Sequence, residues 1–167
     1  MPAFERKYVA DYMLATFPEG GYQLGFPLGV VPDYLVRDVG YETAARQARP
    51  WRPEVDAVKF RPEAILLIEA KVFKTFDALA KLVWYGKLVA ATRELAPWWG
   101  KEVRLRLVTP RITPGLDEAA AVSGVEVDYY VTAEVLQHAQ MYERYWTREY
   151  RAQREAKMAT RRALGVD

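Results

Sequence analysis

Cysteine is absent from this chain of 167 residues, and histidine occurs only once, at His138. Without cysteine the chain can form neither a disulfide nor a thiolate metal site. A histidine-rich zinc site would need more imidazoles than the single one present. The lack of cysteine is typical of a reducing compartment, so we expect a cytoplasmic protein.

Several functional motifs are also missing from the sequence. It contains no GxxxxGK[ST] phosphate loop, no GxGxxG dinucleotide motif and no GxSxG nucleophile motif, which disfavours an ATP-driven motor or a serine hydrolase. No stretch of membrane-spanning length is free of charge, and the first residues lack the uninterrupted apolar core of a secretory signal. We therefore expect neither a membrane partner nor secretion.

The overall composition is that of a soluble globular chain, with 51% hydrophobic and 28% charged residues. The length favours one domain over residues 1–167 and is sufficient to bury a core. The formal net charge is only +2. Contacts with nucleic acid would therefore have to come from local clusters of basic residues.

The stretch from Arg52 to Val72 has the most informative pattern, two short strands joined by a tight turn at Arg61-Pro62. The apolar run at 64–68 predicts a strand buried on both faces. Three charged residues interrupt this pattern, namely Asp56 in the first strand and Glu69 and Lys71 at the end of the second. Alternation along a strand places Glu69 and Lys71 on one face, and hairpin pairing lets Asp56 reach it. Burying these charges without compensation would cost on the order of several kcal/mol, which a divalent cation and a phosphate would offset.

An acid in one strand followed by acid-x-lysine in the next resembles the signature of the PD-(D/E)XK nuclease superfamily. The matching residues are Asp56 and Glu69-Ala70-Lys71. The leading proline of that signature is replaced by Val55, and a literal Pro-Asp at 32–33 lies too far upstream to serve. Proline supplies no ligand, so its loss changes little chemically.

The resemblance implies a metal site and roles for the residues around it. Asp56, Glu69 and the carbonyl of Ala70 would bind Mg²⁺, with Mn²⁺ able to substitute, because such cations prefer oxygen ligands. Lys71 would orient the attacking water and hold the scissile phosphate. Glu5, on the first helix, would be an additional acid near the metal, although it could equally be an ordinary surface acid. The alternative for the whole set is a salt bridge at the end of the sheet.

The function implied by this resemblance is a metal-dependent DNA endo- or exonuclease that hydrolyses phosphodiester bonds. The alternative is a catalytically inactive protein with the nuclease fold that binds DNA or takes part in phage assembly. Small phage and mobile-element proteins would fit either version, and the location would then be the host cytoplasm. A third possibility is a structural subunit that forms homo-oligomers through its C-terminal helix.

Two groups of residues are predicted to contact DNA. Arginines interleaved with a tryptophan next to the proposed site can bind phosphates and stack on a base or sugar, which points to Arg49, Trp51 and Arg52. After the second strand the resemblance adds a lysine and a tyrosine four residues apart on one helix, Lys81 and Tyr85, with Lys74 nearby. The alternative for the first group is a proline-stiffened loop with solvated arginines and with Trp51 packed against the core. For the second group it is an ordinary surface lysine and a half-buried tyrosine.

The predicted order of elements favours an α/β fold, a restriction-endonuclease-like mixed central sheet flanked by helices, with a long C-terminal helix over 133–167. Helices are predicted at 3–16, 75–95 and 116–122, with a helical turn at 43–48. Besides the hairpin, strands are predicted at 22–26, 102–110 and 125–131, and an extended segment at 30–36. Thr75 and Thr132 are the predicted N-caps of the helices that follow them.

Overall fold

A computed structural model describes residues 3–144 and 148–163 of the chain. The chain divides into two compact units, Met1–Tyr130 and Val131–Asp167. The first unit contains α1 (Ala3–Thr16), β1 (Tyr22–Pro27), α2 (Asp33–Val39), α3 (Tyr41–Ala48), β2 (Glu54–Phe60), β3 (Ala64–Ala70), α4 (Thr75–Leu88), β4 (Glu102–Thr109), α5 (Leu116–Ser123) and β5 (Val125–Tyr129). The second unit contains α6 (Ala133–Arg144) and α7 (Arg148–Ala163). The prediction of one domain over 1–167 stays a prediction.

The five strands of the first unit form one mixed sheet in the order β1-β2-β3-β4-β5. β1, β2 and β3 are antiparallel neighbours, whereas β3, β4 and β5 run parallel. The parallel pairs are connected through α4 and α5, as crossover connections require. A mixed sheet with flanking helices confirms the predicted α/β fold class, and helices are present after residue 132.

The predicted hairpin is formed by β2 and β3. The backbone N–H of Arg61 donates to the carbonyl of Ala64 at 3.0 Å, which closes the turn. In the register, Ala57 lies opposite Ile68 and Val58 opposite Leu67. Every residue of β3 is buried, because the strand has neighbours on both edges and helices on both faces. This explains its unbroken apolar sequence.

The two faces of the sheet are covered by different helices. α4 and α5 pack on one face, where their apolar side chains join those of the strands in the main core. α1 packs on the other face, against β2 and β3. Two tyrosines of α1 also bond to the far edge of the sheet, since the hydroxyl of Tyr12 donates to Asp128 at 2.7 Å and that of Tyr8 to the carbonyl of Tyr130 at 2.6 Å.

The segment before the hairpin differs from the prediction. An extended piece was expected at 30–36, but Asp33–Val39 is helical. The carbonyl of Pro32 accepts from the N–H groups of Leu35 and Val36, and Asp33 in the first turn complements the helix dipole. No residue of α2 is fully buried, but Leu35 and Val36 pack partly against a small apolar cluster of Val31, Ala44 and Ala48. A helix of seven residues is too short to show a helical apolar period in the sequence.

Some predicted boundaries are also wrong. Thr75 was the predicted N-cap of α4 but is its first helical residue. Lys74 occupies the N-cap position, with a left-handed backbone at φ 55°. α4 ends at Leu88, and short 3₁₀ turns follow it at 89–91 and 93–98. The prediction had extended a regular helix to residue 95. The last strand ends at Tyr129, before the predicted 131.

In the second unit, the Thr132 hydroxyl accepts from the N–H of Val135 at 3.2 Å, which confirms the predicted N-cap of α6. A single continuous helix over 133–164 remains a prediction, because residues 145–147 and 164–167 lie outside the described part of the chain. Oligomerisation through this region also remains a prediction. Within the described residues, no helix combines the length and the apolar character that crossing a membrane requires.

Candidate active site

The predicted acidic residues meet where β2 begins and β3 ends. Asp56 and Glu69 are both buried, on neighbouring antiparallel strands. The backbone N–H of Ala70 donates to Asp56 Oδ2 at 2.9 Å. This bond fixes the Asp56 carboxylate against the end of β3, so its position is determined by the hairpin itself.

Lys71 lies at the centre of the acidic group. Its backbone N–H donates to the carbonyl of Val108 at 2.9 Å, which extends the parallel pairing of β3 with β4 by one residue. Its Nζ lies 3.0 Å from Glu5 Oε2, 3.4 Å from Glu69 Oε1 and 3.6 Å from Asp56 Oδ2. One ammonium group therefore faces three carboxylates.

The helices on the two faces of the sheet each contribute one charged residue. α1 supplies Glu5, which is largely buried beside Lys71. α4 supplies Lys81, whose Nζ lies 3.9 Å from Glu69 Oε1 and whose side chain is half exposed. The site is thus assembled from both sides of the sheet, with three acids and two lysines in its immediate vicinity.

Within this group, Glu69 has the least favourable environment for a charged carboxylate. Its residue is only 2% exposed, and its Oε2 atom is buried without a hydrogen-bond partner. Burial raises the pKa of Glu69 to about 7, and the charge of Asp56 adds to the effect, while Lys71 and Lys81 oppose it. Such an orphaned carboxylate oxygen is costly in a folded protein, and a bound cation would satisfy it.

The pKa values of the other two central groups also shift. Burial raises the pKa of Asp56, and the lowering effects of Lys71 and of the Ala70 N–H do not fully offset it. For Lys71, burial acts to lower the pKa, but the carboxylates of Asp56, Glu69 and Glu5 outweigh it and leave the pKa raised. Lys71 is therefore an ammonium ion at neutral pH in the metal-free protein, which disfavours a role as general base.

Tyr85 lies beneath this group on α4 and is buried. Burial raises its pKa to about 12, and the charges of Glu69 and Asp56 add to the shift. Its hydroxyl is therefore neutral and close enough to the acids to experience their field. Because Tyr85 is buried, it is not placed to contact a bulky ligand directly.

The oxygen atoms of the site fit a metal ion in part. Among residues 3–144 and 148–163, no group of three or more His, Asp or Glu side chains is arranged to hold one. The predicted set needs two carboxylates, from Asp56 and Glu69, and the carbonyl of Ala70. These are hard oxygen donors of the kind that Mg²⁺ accepts. The unpartnered Oε2 of Glu69 is the observation that favours a cation, and Lys71 supplies part of the compensating charge without one.

The residues predicted to contact DNA occupy different environments. Arg52 is a structural residue in this arrangement: its side chain is 4% exposed, and it binds both oxygens of Glu94 and the carbonyls of Pro27, Leu28 and Gly29. Arg49 is exposed and pairs with Glu54 at 3.0 Å. Trp51 is 72% exposed, and Lys74 is also exposed.

The sequence interpretation overlooked Trp84, which lies one residue before Tyr85 and is exposed on α4. The available signal was the spacing Lys81-x-x-Trp84-x-x-Lys87, which places the three side chains on one side of a helix. Glu94 was also overlooked, because its pairing with Arg52 joins segments 42 positions apart.

Comparison with solved structures yields matches to three chains. The chain is similar to the crystal structure of a repair endonuclease from Pyrococcus abyssi, with 18% sequence identity and a TM-score of 0.44. The similarity covers 75% of this chain and 46% of that one, so the chain spans less than half of that structure's length. No protein-family model and no curated protein matches the chain. A likeness at this level supports no conclusion about function. The residues of the site have to supply that evidence.

Proposed function

We propose that this protein is a metal-dependent deoxyribonuclease of the PD-(D/E)XK type that hydrolyses phosphodiester bonds. The observation that carries the proposal is the convergence of Glu5, Asp56, Glu69 and Lys71 at the end of β3, with Glu69 Oε2 left without a partner. Ion pairing alone would not require a third acid or an unsatisfied oxygen. Both features suit a site that receives additional positive charge.

In this proposal Asp56, Glu69 and the carbonyl of Ala70 hold Mg²⁺ or Mn²⁺. When bound, such an ion lowers the pKa of a coordinated water and stabilises charge that develops on a phosphate. Because the Ala70 N–H fixes Asp56 and β3 fixes Glu69, the two carboxylates are positioned before any ligand arrives.

Lys71 has a separate role in the proposed chemistry. As an ammonium ion it would neutralise the negative charge of the scissile phosphate and donate hydrogen bonds to it. Glu5 holds the ammonium at 3.0 Å and thereby limits its rotamers. Lys81, half exposed beside Glu69, is placed to contact a phosphate as well.

Purified protein incubated with labelled single-stranded and duplex DNA provides the test. We expect cleavage with Mg²⁺ or Mn²⁺ and none in excess chelator. Glu69→Gln should lose cleavage and also lose metal binding in calorimetric titration. Glu63→Gln, which changes an exposed acid at the turn of the hairpin, should retain both. Cleavage that persists in chelator would refute the metal mechanism.

The non-catalytic alternative keeps a specific observation in its favour. Lys71 already contacts all three acids, so the cluster can exist as an ion-pair network without a metal. A protein that binds DNA but shows neither metal binding nor cleavage in the same experiment would support a nuclease-like binding protein.

A further inference from the structure

Trp84 is a large aromatic side chain exposed on α4 beside the proposed active site. Its residue is 51% exposed. The indole contacts the ring of buried Tyr85, with centroids 5.5 Å apart and planes at 39°. Tyr85 in turn experiences the charges of Glu69 and Asp56. The indole lies one helical turn from Lys81, whose Nζ is 3.9 Å from Glu69 Oε1.

Two lysines flank this indole on the same side of the helix. Lys81 and Lys87 lie three residues before and three residues after Trp84, a spacing that makes side chains neighbours on a helix surface. Both lysines are exposed. Lys81 Nζ is 3.9 Å from Glu69 Oε1, so the row of Lys81, Trp84 and Lys87 starts at the acidic group and leads away from it. Asp77, one turn before Lys81, is the exposed acid closest to this row along the helix.

The chemistry of this row suits one kind of ligand. Alternating cations and an exposed aromatic face bind a chain of phosphates whose bases are free to stack. In a duplex, both faces of each base are covered by its neighbours, so an indole outside the helix finds no face to contact. An unpaired nucleotide offers its face directly, and base-aromatic stacking needs no particular base.

Resting on the proposed nuclease function, we propose that Trp84 stacks on an unpaired base while Lys81 and Lys87 bind the adjoining phosphates, making single-stranded DNA the preferred substrate. The strand leaves the acidic group along α4, with the stacked base held next to the nucleotide at the site. Trp84 is a binding and specificity residue in this arrangement, since it does not touch the reacting phosphate.

Fluorescence anisotropy in excess chelator tests this without cleavage. The probes are a labelled oligothymidylate of about 20 nucleotides, longer than the ~4–16 nucleotides typical of one such binding site, and a blunt duplex of equal length. We expect Trp84→Ala to weaken binding of the single strand by about tenfold and binding of the duplex by less than about twofold. Trp84→Phe, which keeps a stacking ring, should retain most of the affinity.

Tyr34→Ala is the matched control, because it also removes an exposed aromatic ring, from α2, where no site residue lies. It should bind both probes as the unchanged protein does, and circular dichroism should show all variants folded. Equal affinity of Trp84→Ala and the unchanged protein for the single strand would overturn the proposal, as would equal losses on both probes.

The same measurement separates this proposal from the nuclease proposal. Trp84-dependent binding of the single strand by a protein that never cleaves would refute the nuclease function and leave the stacking site standing. Metal-dependent cleavage of duplex, with no effect of Trp84→Ala on either binding or cleavage, would support the nuclease function and refute the stacking site.

Discussion

The buried charges around Arg52 and those around Lys71 differ in how completely they are satisfied. Around Arg52, every guanidinium nitrogen donates, to Glu94 or to the carbonyls of 27–29. Around Lys71, three acids surround one ammonium, and Glu69 Oε2 has no partner. The first group resembles a completed structural bond network. The second has unused capacity for positive charge, which is the property expected of a site that binds a ligand.

The largest effect should come from Lys71, on activity. Lys71→Met removes the cation that would neutralise the scissile phosphate, so cleavage should fall by about 10²–10³-fold. Lys101→Met is the control, since Lys101 lies at the opposite end of the sheet, where its ammonium donates to the carbonyl of Pro62 and lies 6.0 Å from the centroid of the Trp98 ring. Rates are compared on labelled DNA with Mg²⁺, and equal rates for the two variants would contradict the proposed role.

The next largest effect should come from Arg52, on stability. Arg52→Met leaves Glu94 and three backbone carbonyls without their donor, which should cost about 3 kcal/mol, at the lower end for a broken buried pair because Glu94 is 26% exposed. Arg49→Met, which breaks the exposed pair with Glu54, should cost less than about 1 kcal/mol. Urea denaturation measures both, and similar losses would remove the distinction between the two groups.

A smaller effect of opposite sign is expected from Glu69. Glu69→Gln removes a buried carboxylate that has an unpartnered oxygen, so the metal-free protein should gain about 1 kcal/mol of stability. We also expect Mg²⁺ to raise the melting temperature of the unchanged protein and Glu69→Gln to abolish that rise. Thermal melts with Mg²⁺ and with chelator check both effects. A destabilised variant that still responds to Mg²⁺ would count against a cation at this position.

The smallest effect should be the pH dependence contributed by Glu94. Burial acts to raise its pKa, but the bonds from Arg52 and the backbone outweigh it and leave the pKa below the usual 4.5. A carboxylate with a lowered pKa stabilises the fold above its unfolded pKa and loses this contribution as pH falls through the folded one. The difference in unfolding free energy between the unchanged protein and Glu94→Gln should therefore be constant above pH 4.5 and shrink below it. A difference that grows on acidification would show the opposite sign.

The central hairpin could be predicted because its information is local. A buried strand gives an unbroken apolar run, and strand alternation relates Asp56, Glu69 and Lys71 within sixteen residues of sequence. Glu5 is 66 positions from Lys71, and only the family resemblance suggested it. The position of Glu5 depends on how α1 packs across the sheet, which no local pattern encodes.

The environment of Arg52 could not be predicted for the same physical reason. Arginine beside tryptophan and proline has the same appearance in a DNA-binding loop and in a buried bond network. The deciding residue, Glu94, lies in a 3₁₀ turn that the pattern assigned to a regular helix. α2 was misassigned because its half-buried apolar residues, Leu35 and Val36, are adjacent in a helix of only seven residues, which shows no helical period.

The attachment of α1 has a consequence that extends across the sheet. Tyr12 and Tyr8 hold this helix to Asp128 and to the carbonyl of Tyr130, at the strand farthest from β1. The same helix carries the acid that restrains the Lys71 ammonium. Substitution of Asp128 should therefore alter the rotamer freedom of Lys71, although the two side chains are not in contact. Residues at the outer edge of the sheet should thus affect the site through α1.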